Sequence, residues 1–136
     1  MRGYQLVPGG SGVYRAEEAR IARGTIDTNH AGFSGIGFVN LARAEGSYAE
    51  WTVPSGAASA AALDLAYANG TGADRPMDVT VNGVLAAVGH AFPPTGGWDT
   101  WSTTSLPISL KAGANTVRVT STTADGGPNL DRITVR

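Results

Sequence analysis

Three carboxylates stand in two segments at opposite ends of the chain. Glu17 and Glu18 lie in Val13-Tyr14-Arg15-Ala16-Glu17-Glu18-Ala19, and Asp131 lies in Gly127-Pro128-Asn129-Leu130-Asp131-Arg132-Ile133-Thr134-Val135. Both segments read as β-strands. Side chains alternate across a strand, so Leu130, Arg132 and Thr134 share one face, and Asp131, Ile133 and Val135 share the other, apolar one. A carboxylate on the inward face is costly unless it is paired or binds a metal. If the terminal strands lie side by side, their acids converge on one hard cation. Calcium, which takes roughly six to eight oxygens, suits such a set. The competing reading pairs the same acids at the surface with Arg15, Arg20 or Arg132.

A second group of residues suits recognition rather than reaction. Trp98 and Trp101 are three apart, so one faces the core and the other a loop surface. An exposed ring can stack on the C–H face of a sugar. Phe33 sits in Asn29-His30-Ala31-Gly32-Phe33-Ser34-Gly35, a loop too glycine-rich for a strand, either as a platform or as an anchor tucked inward. Arg75 ends the loop Tyr67–Arg75; its guanidinium can fork onto a carboxylate, or pair with Asp74 or Asp78. Asp74 and Asn69 offer that loop oxygen ligands, and Asn69-Gly70-Thr71 also fits a glycosylation sequon. The Asn129 amide can donate to and accept from hydroxyls, or simply make a turn after Pro128. His30 and His90 have no partner at zinc spacing and read as ordinary loop or strand residues.

These residues need a scaffold, and the rest of the chain describes one. Its 136 residues suit one domain. With 10 basic and 11 acidic residues, scattered, there is no electrostatic footprint for nucleic acid or an anionic membrane. Cysteine is absent, which excludes a disulfide scaffold, and no run is long and apolar enough to span a membrane. Residues 1–12 read as a tag or linker remnant and 13–136 as the module. Alternating runs predict strands at Val13–Ala19, Arg20–Ile26, Gly37–Leu41, Ser47–Val53, Ala60–Ala68, Met77–Val81, Val84–Val88, Trp98–Leu106, Asn115–Thr120 and Leu130–Val135. Asn82-Gly83 predicts a type I′ hairpin, and Lys111–Asn115 a second tight turn. The alanine-rich Ser55–Ala62 is the one stretch with a helical alternative. About ten short strands argue for an all-β sandwich or jelly roll. Glu45, Glu50, Asp74 and Asp99 are available acids, but nothing pairs any two of them as a glycosidase requires.

The pieces Tyr14–Ala19, Gly32-Phe33-Ser34-Gly35-Ile36-Gly37-Phe38-Val39, Arg75–Gly83, Gly96-Gly97-Trp98-Asp99-Thr100-Trp101, Leu110–Val117 and Pro128-Asn129-Leu130-Asp131, in that order, resemble a family 35 carbohydrate-binding module. Family 6 modules are near relatives. The resemblance implies a galactose-binding-like jelly-roll sandwich of two antiparallel sheets, carried by a secreted, extracellular polysaccharide-degrading enzyme. It implies a structural calcium at Glu17, Glu18 and Asp131, and a sugar site in the loops at one end. It assigns Trp98 to the ligand and Trp101 to the core, favours Asn129 as a ligand residue, and sets Phe33 where relatives often carry Tyr. If the ligand is a uronic acid, Arg75 and a second, loop-bound calcium with Asp74 and Asn69 as oxygen ligands are the natural counter-charges. One departure is Arg15, which stands where many relatives carry an acid or amide. The expected function is non-catalytic and calcium-dependent: targeting an appended glycoside hydrolase or lyase to polysaccharide through uronic acids, glucuronic or unsaturated galacturonic. Neutral galactose- or mannose-containing glycans are the alternative ligands, and a structural or adhesion sandwich without a sugar site is the alternative function. The expected partners are a carbohydrate and a covalently linked catalytic domain, with no nucleic acid, no membrane and a monomeric state.

Overall fold

The computed structural model describes residues 12–136. Residues 1–11, and with them nearly all of the expected linker remnant, lie outside the described residues. One antiparallel sheet contains β1 (Gly12–Arg15), β3 (Gly24–Asp27), β4 (Phe38–Leu41), β6 (Ser59–Ala68), β9 (Ser102–Leu110) and β11 (Asn129–Val135). The other contains β2 (Arg20–Ala22), β5 (Tyr48–Ser55), β7 (Met77–Val81), β8 (Val84–His90) and β10 (Gly113–Ser121). The first runs β3-β4-β11-β6-β9, with β1 added to β11, and the second runs β2-β5-β10-β7-β8. The two sheets form the expected jelly-roll sandwich. No helix among the described residues is long and apolar enough to cross a membrane.

Alternation builds the core. Ala49, Trp51 and Val53 of β5, Met77 and Val79 of β7, and Val117 and Val119 of β10 turn inward. They meet Leu63, Leu65 and Tyr67 of β6, Leu106 and Ile108 of β9, and Ile133 and Val135 of β11. Each large apolar side chain so buried is worth about 1.5–3 kcal/mol. Trp51 is fully buried, as its sequence setting predicts, and its indole N–H donates to the Arg15 carbonyl at 2.9 Å. That bond fastens the first strand of one sheet to the heart of the other.

Several elements depart from the periodic reading. The predicted strand Val13–Ala19 stops at Arg15, and Ala16–Glu18 form a single 3-10 turn, closed by the Glu18 carboxylate accepting the Arg15 N–H at 2.8 Å. Glu17 and Glu18 therefore project from a turn, not a strand. The predicted strand Arg20–Ile26 is two strands in different sheets, broken where Arg23 takes φ 58°. The switch breaks the parity of the run, since Ile21 and Ile26, an odd number of residues apart, both pack on the core. The Trp98–Leu106 strand begins only at Ser102 and runs to Leu110 through Pro107, which an edge strand such as β9 tolerates. Ser59–Ala62 is strand, so the helical alternative fails. Asn82 and Gly83 adopt φ 53° and 79°, the hairpin turn expected. The Lys111–Asn115 turn carries the chain from one sheet to the other, held by Asn115, whose amide bonds the Lys111 N–H and the Val53, Lys111 and Gly113 carbonyls.

The last strand also breaks its own alternation. Leu130 pairs with Tyr67 but Arg132 pairs with Ala66, so Asp131 is the extra residue of a β-bulge. Leu130 and Asp131 are consequently both buried.

Candidate functional site: a loop cluster at one end of the sandwich

Four connections gather at one end: residues 28–37, 69–76, 91–101 and 122–128. Their flanking residues pair directly, Asp27 with Phe38, Ala68 with Asn129, Tyr67 with Ser102, and Met77 with both His90 and Ser121. Strand register thus brings the segments holding Phe33, Arg75, Trp98 and Asn129 together.

Trp98 is half-buried on this loop surface. Its indole lies against Gly70, where a Cβ would come within 2.5 Å of the ring, so only glycine permits that approach. The Arg75 guanidinium carbon is 5.6 Å from the Trp98 ring centroid, and the His30 imidazole stacks at 6.0 Å with an interplanar angle of 29°. Trp101 was expected in the core and is not there. It is half-buried in the same cluster, edge-on to Phe38 at 5.6 Å, with its N–H donated to the Ala31 carbonyl at 2.8 Å. Both tryptophans are on a loop, so the strand alternation that separated them does not operate. Phe33 is half-buried and tilts against Phe38 at 5.9 Å.

Arg75 has no carboxylate partner among the described residues. The two acids expected to neutralise it are occupied: Asp74 accepts the Phe92 N–H at 2.6 Å, and Asp78 accepts the Gly89 N–H at 2.8 Å. Arg75 donates instead to the Gly127 carbonyl at 3.3 Å. Burial, then the nearby Arg43 charge, pushes its guanidinium below the ordinary arginine value. A half-buried cation in that position gains from an anion. Two residues beyond Gly127, Asn129 is 5% exposed, yet its side-chain amide makes no hydrogen bond among the described residues.

Asn69, expected to face ligand, is fully buried and fully used. Its amide donates to the Ala73 and Phe92 carbonyls at 2.8 and 2.9 Å, and its oxygen accepts from the Thr71 N–H and hydroxyl at 3.0 and 2.6 Å. It shapes the loop under Trp98, and a sequon asparagine so enclosed is closed to glycosylation in the folded domain. Asp74 is exposed, with its second oxygen unpartnered among the described residues and no other acid gathered beside it.

Of the three terminal carboxylates, two lie against one dipeptide and the third does not. The Asp131 carboxylate accepts the Ser34 N–H at 2.7 Å and the Ser34 hydroxyl, and the Arg132 guanidinium also reaches it. The Glu17 oxygens sit 2.7 and 2.9 Å from the point where a Cβ on Gly35 would stand. The dipeptide Ser34-Gly35 is therefore flanked by Asp131 and Glu17, in a cradle that a Cβ would fill. Glu18 turns back onto the Arg15 N–H. No three acid, histidine or cysteine side chains gather among the described residues, so the chain offers two carboxylates, a hydroxyl and nearby carbonyls. These are hard oxygen donors, the type calcium takes.

Another groove, of about 660 Å³, runs between the edge strands β8 and β9, lined by Val84, Leu85, Pro107, Ile108 and Leu110. Asn82, Ser109 and Lys111 also border it, but it offers a polyhydroxylated ligand no stacking ring, so the loop cluster is the better candidate for a sugar site.

Known proteins agree with this geometry. A family model described as CBM13-like, alpha-galactosidase CBM13 domain, matches residues 46–135. A family 35 carbohydrate-binding module from Clostridium thermocellum superposes with a TM-score of 0.90 at 40% identity, over 91% of this chain and 95% of that one. A family 35 module solved in complex with a glucuronic acid-containing disaccharide superposes with a TM-score of 0.83 at 35% identity, over 91% of each chain. An exo-beta-D-glucosaminidase of Amycolatopsis orientalis is 46% identical over 90% of this chain, which spans only 12% of that enzyme. Fold, loop cluster and relatives together define a non-catalytic carbohydrate-binding module. The solved modules match over nearly their whole length and decide the family number: the chain belongs to family 35 of the carbohydrate-binding modules. The curated enzymes it matches are far longer, the chain spanning between 10% and 19% of their length.

Proposed function

We propose that the loop cluster binds a uronic acid, glucuronic or unsaturated galacturonic, as part of a polysaccharide. The observation that carries this reading is Arg75, a half-buried cation without a carboxylate partner among the described residues, poised over Trp98 and bonded to the Gly127 carbonyl two residues before Asn129. In this reading the sugar carboxylate meets Arg75, the ring packs on Trp98 and Phe33, and Asn129 bonds hydroxyls. The neighbouring module that carries a glucuronic acid-containing disaccharide supports the same ligand class. Calcium binds Glu17 and Asp131 and staples the first and last strands. Asp74 supplies one further oxygen for a second calcium, which the sugar carboxylate would complete. A single such site binds weakly, and its benefit is the raised effective concentration of a covalently linked hydrolase or lyase at its substrate. That linked chain is secreted, because its polymeric substrate is extracellular.

The test is calorimetric titration of the domain with glucuronic acid and with galactose, in calcium and in EDTA. Heat with glucuronic acid that disappears in EDTA supports the full reading. Heat with glucuronic acid in both buffers keeps the uronic acid and confines calcium to the staple. Heat with galactose alone overturns the uronic acid in favour of neutral glycans.

A further inference from the structure

His30 carried no role in the sequence reading, yet it sits at the centre of the aromatic cluster. Its ring stacks on Trp98 at 6.0 Å and packs against the fully buried Phe38 at 5.9 Å. Its Nδ1 lies 3.3 Å from the Asp99 carboxylate, the residue next to Trp98. The same Asp99 oxygen accepts the Ala31 N–H at 3.1 Å. The neighbouring Ala31 carbonyl accepts the Trp101 N–H, and Gly32 lies against the Trp101 ring, where a Cβ would come within 2.7 Å. The segment 30–32 is therefore clamped to the segment 98–101 at five points, two of them through His30.

We infer that His30 is a positioning residue of the sugar site. It backs the Trp98 ring and, through Asp99, ties the loop carrying Phe33 to the loop carrying Trp98. The inference rests on the loop cluster being the sugar site.

The experiment needs no sugar for its first arm. Removing the imidazole from the Trp98 ring changes the surroundings of that indole, so the tryptophan emission of His30→Gln should differ from that of the wild type, and the difference should vanish when Trp98→Phe is present in both. Identical emission from wild type and His30→Gln overturns the inference. The second arm measures glucuronic acid binding by calorimetry. His30→Gln should bind roughly 3- to 10-fold more weakly, the equivalent of one aromatic stack, and His30→Phe, which keeps a ring behind Trp98, should recover most of that loss. Wild-type affinity in His30→Gln overturns the positioning role. A changed emission in a protein with no affinity for glucuronic acid would overturn the uronic acid reading and leave the His30–Trp98 contact established on its own.

Discussion

Asp131 accepts both the main-chain N–H and the hydroxyl of Ser34, a residue 97 positions away. The contact joins the bulge of the last strand to the loop that carries His30 and Phe33. Asp131 is 1% exposed, so its charge is held by these bonds and by Arg132. Arg132 is 39% exposed and keeps its hydration when Asp131 is lost, so the cost is that of the bonds to the buried carboxylate, about 1.5–3 kcal/mol for a hydrogen bond to a charged group. Asp131→Ala should lose about that much in urea unfolding. Added calcium should raise the melting temperature of the wild type and leave that of Asp131→Ala unchanged.

Gly35 offers an independent test of the same clasp. It adopts φ 66°, and a Cβ there would stand 2.7 Å from both a Glu17 oxygen and the Arg15 Cδ. A left-handed residue other than glycine costs roughly 1–2 kcal/mol. Gly35→Ala should lose somewhat more than this, since Glu17 must also move. Its melting temperature should respond less to calcium, while glucuronic acid binding in saturating calcium is largely kept.

Trp51 and Trp98 should fail in opposite ways. Trp51 is fully buried, so Trp51→Ala should cost about 3–5 kcal/mol in unfolding. Trp98 is half-buried at the loop surface, so Trp98→Ala should abolish measurable sugar binding while shifting the urea midpoint only slightly. A Trp98→Ala protein that binds sugar as before would remove the ring from the site.

Asn129 and Asn69 form a second contrasting pair. The Asn129 amide has no internal partner among the described residues, so Asn129→Ala should weaken sugar binding at nearly constant stability. Asn69 holds its loop through four bonds, and its replacement by alanine removes them all, leaving the Phe92 carbonyl with the 3.4 Å bond from the Arg75 N–H. Each intramolecular hydrogen bond so lost is worth about 0.5–1.5 kcal/mol. Asn69→Ala should therefore lose stability first and binding second, which calorimetry and urea titration separate.

His90 predicts an acid-side weakness. Burial lowers the pKa of its imidazole, with Asp74 opposing only in part, and the ring packs against Phe92 at 5.5 Å. The folded state thus binds a proton less readily than the unfolded chain, whose imidazole titrates at about pH 6.5. Stability from this group is complete above that pH, declines as pH falls below it, and levels off below the lowered folded value. The urea midpoint of the wild type, relative to His90→Gln, should therefore decline on acidification from pH 8 to 5.

Much of the scaffold was legible from residue types. Alternation in Tyr48–Ser55, Met77–Val81 and Asn115–Thr120 located strands, since a half-buried strand must alternate. Asn82-Gly83 announced its turn because few other pairs accept positive φ at both positions. The elements misread were those in which the partner changes within one run. Arg20–Ile26 switches sheets at Arg23, and the Asp131 bulge shifts register by a residue that no pattern marks.

The sequence by itself determined an all-β module, its family resemblance and the residue types of a sugar site, because composition, alternation and turn chemistry are local properties. Only the tertiary structure decided which residues meet. It enclosed Asn69, turned Glu18 back onto its own strand, left Arg75 without a carboxylate among the described residues, and set His30 against Trp98. The last of these depends on two loops folding over one another, as in the 68-residue separation of Ala31 and Asp99. No local spacing encodes that contact; the packing of the two sheets does.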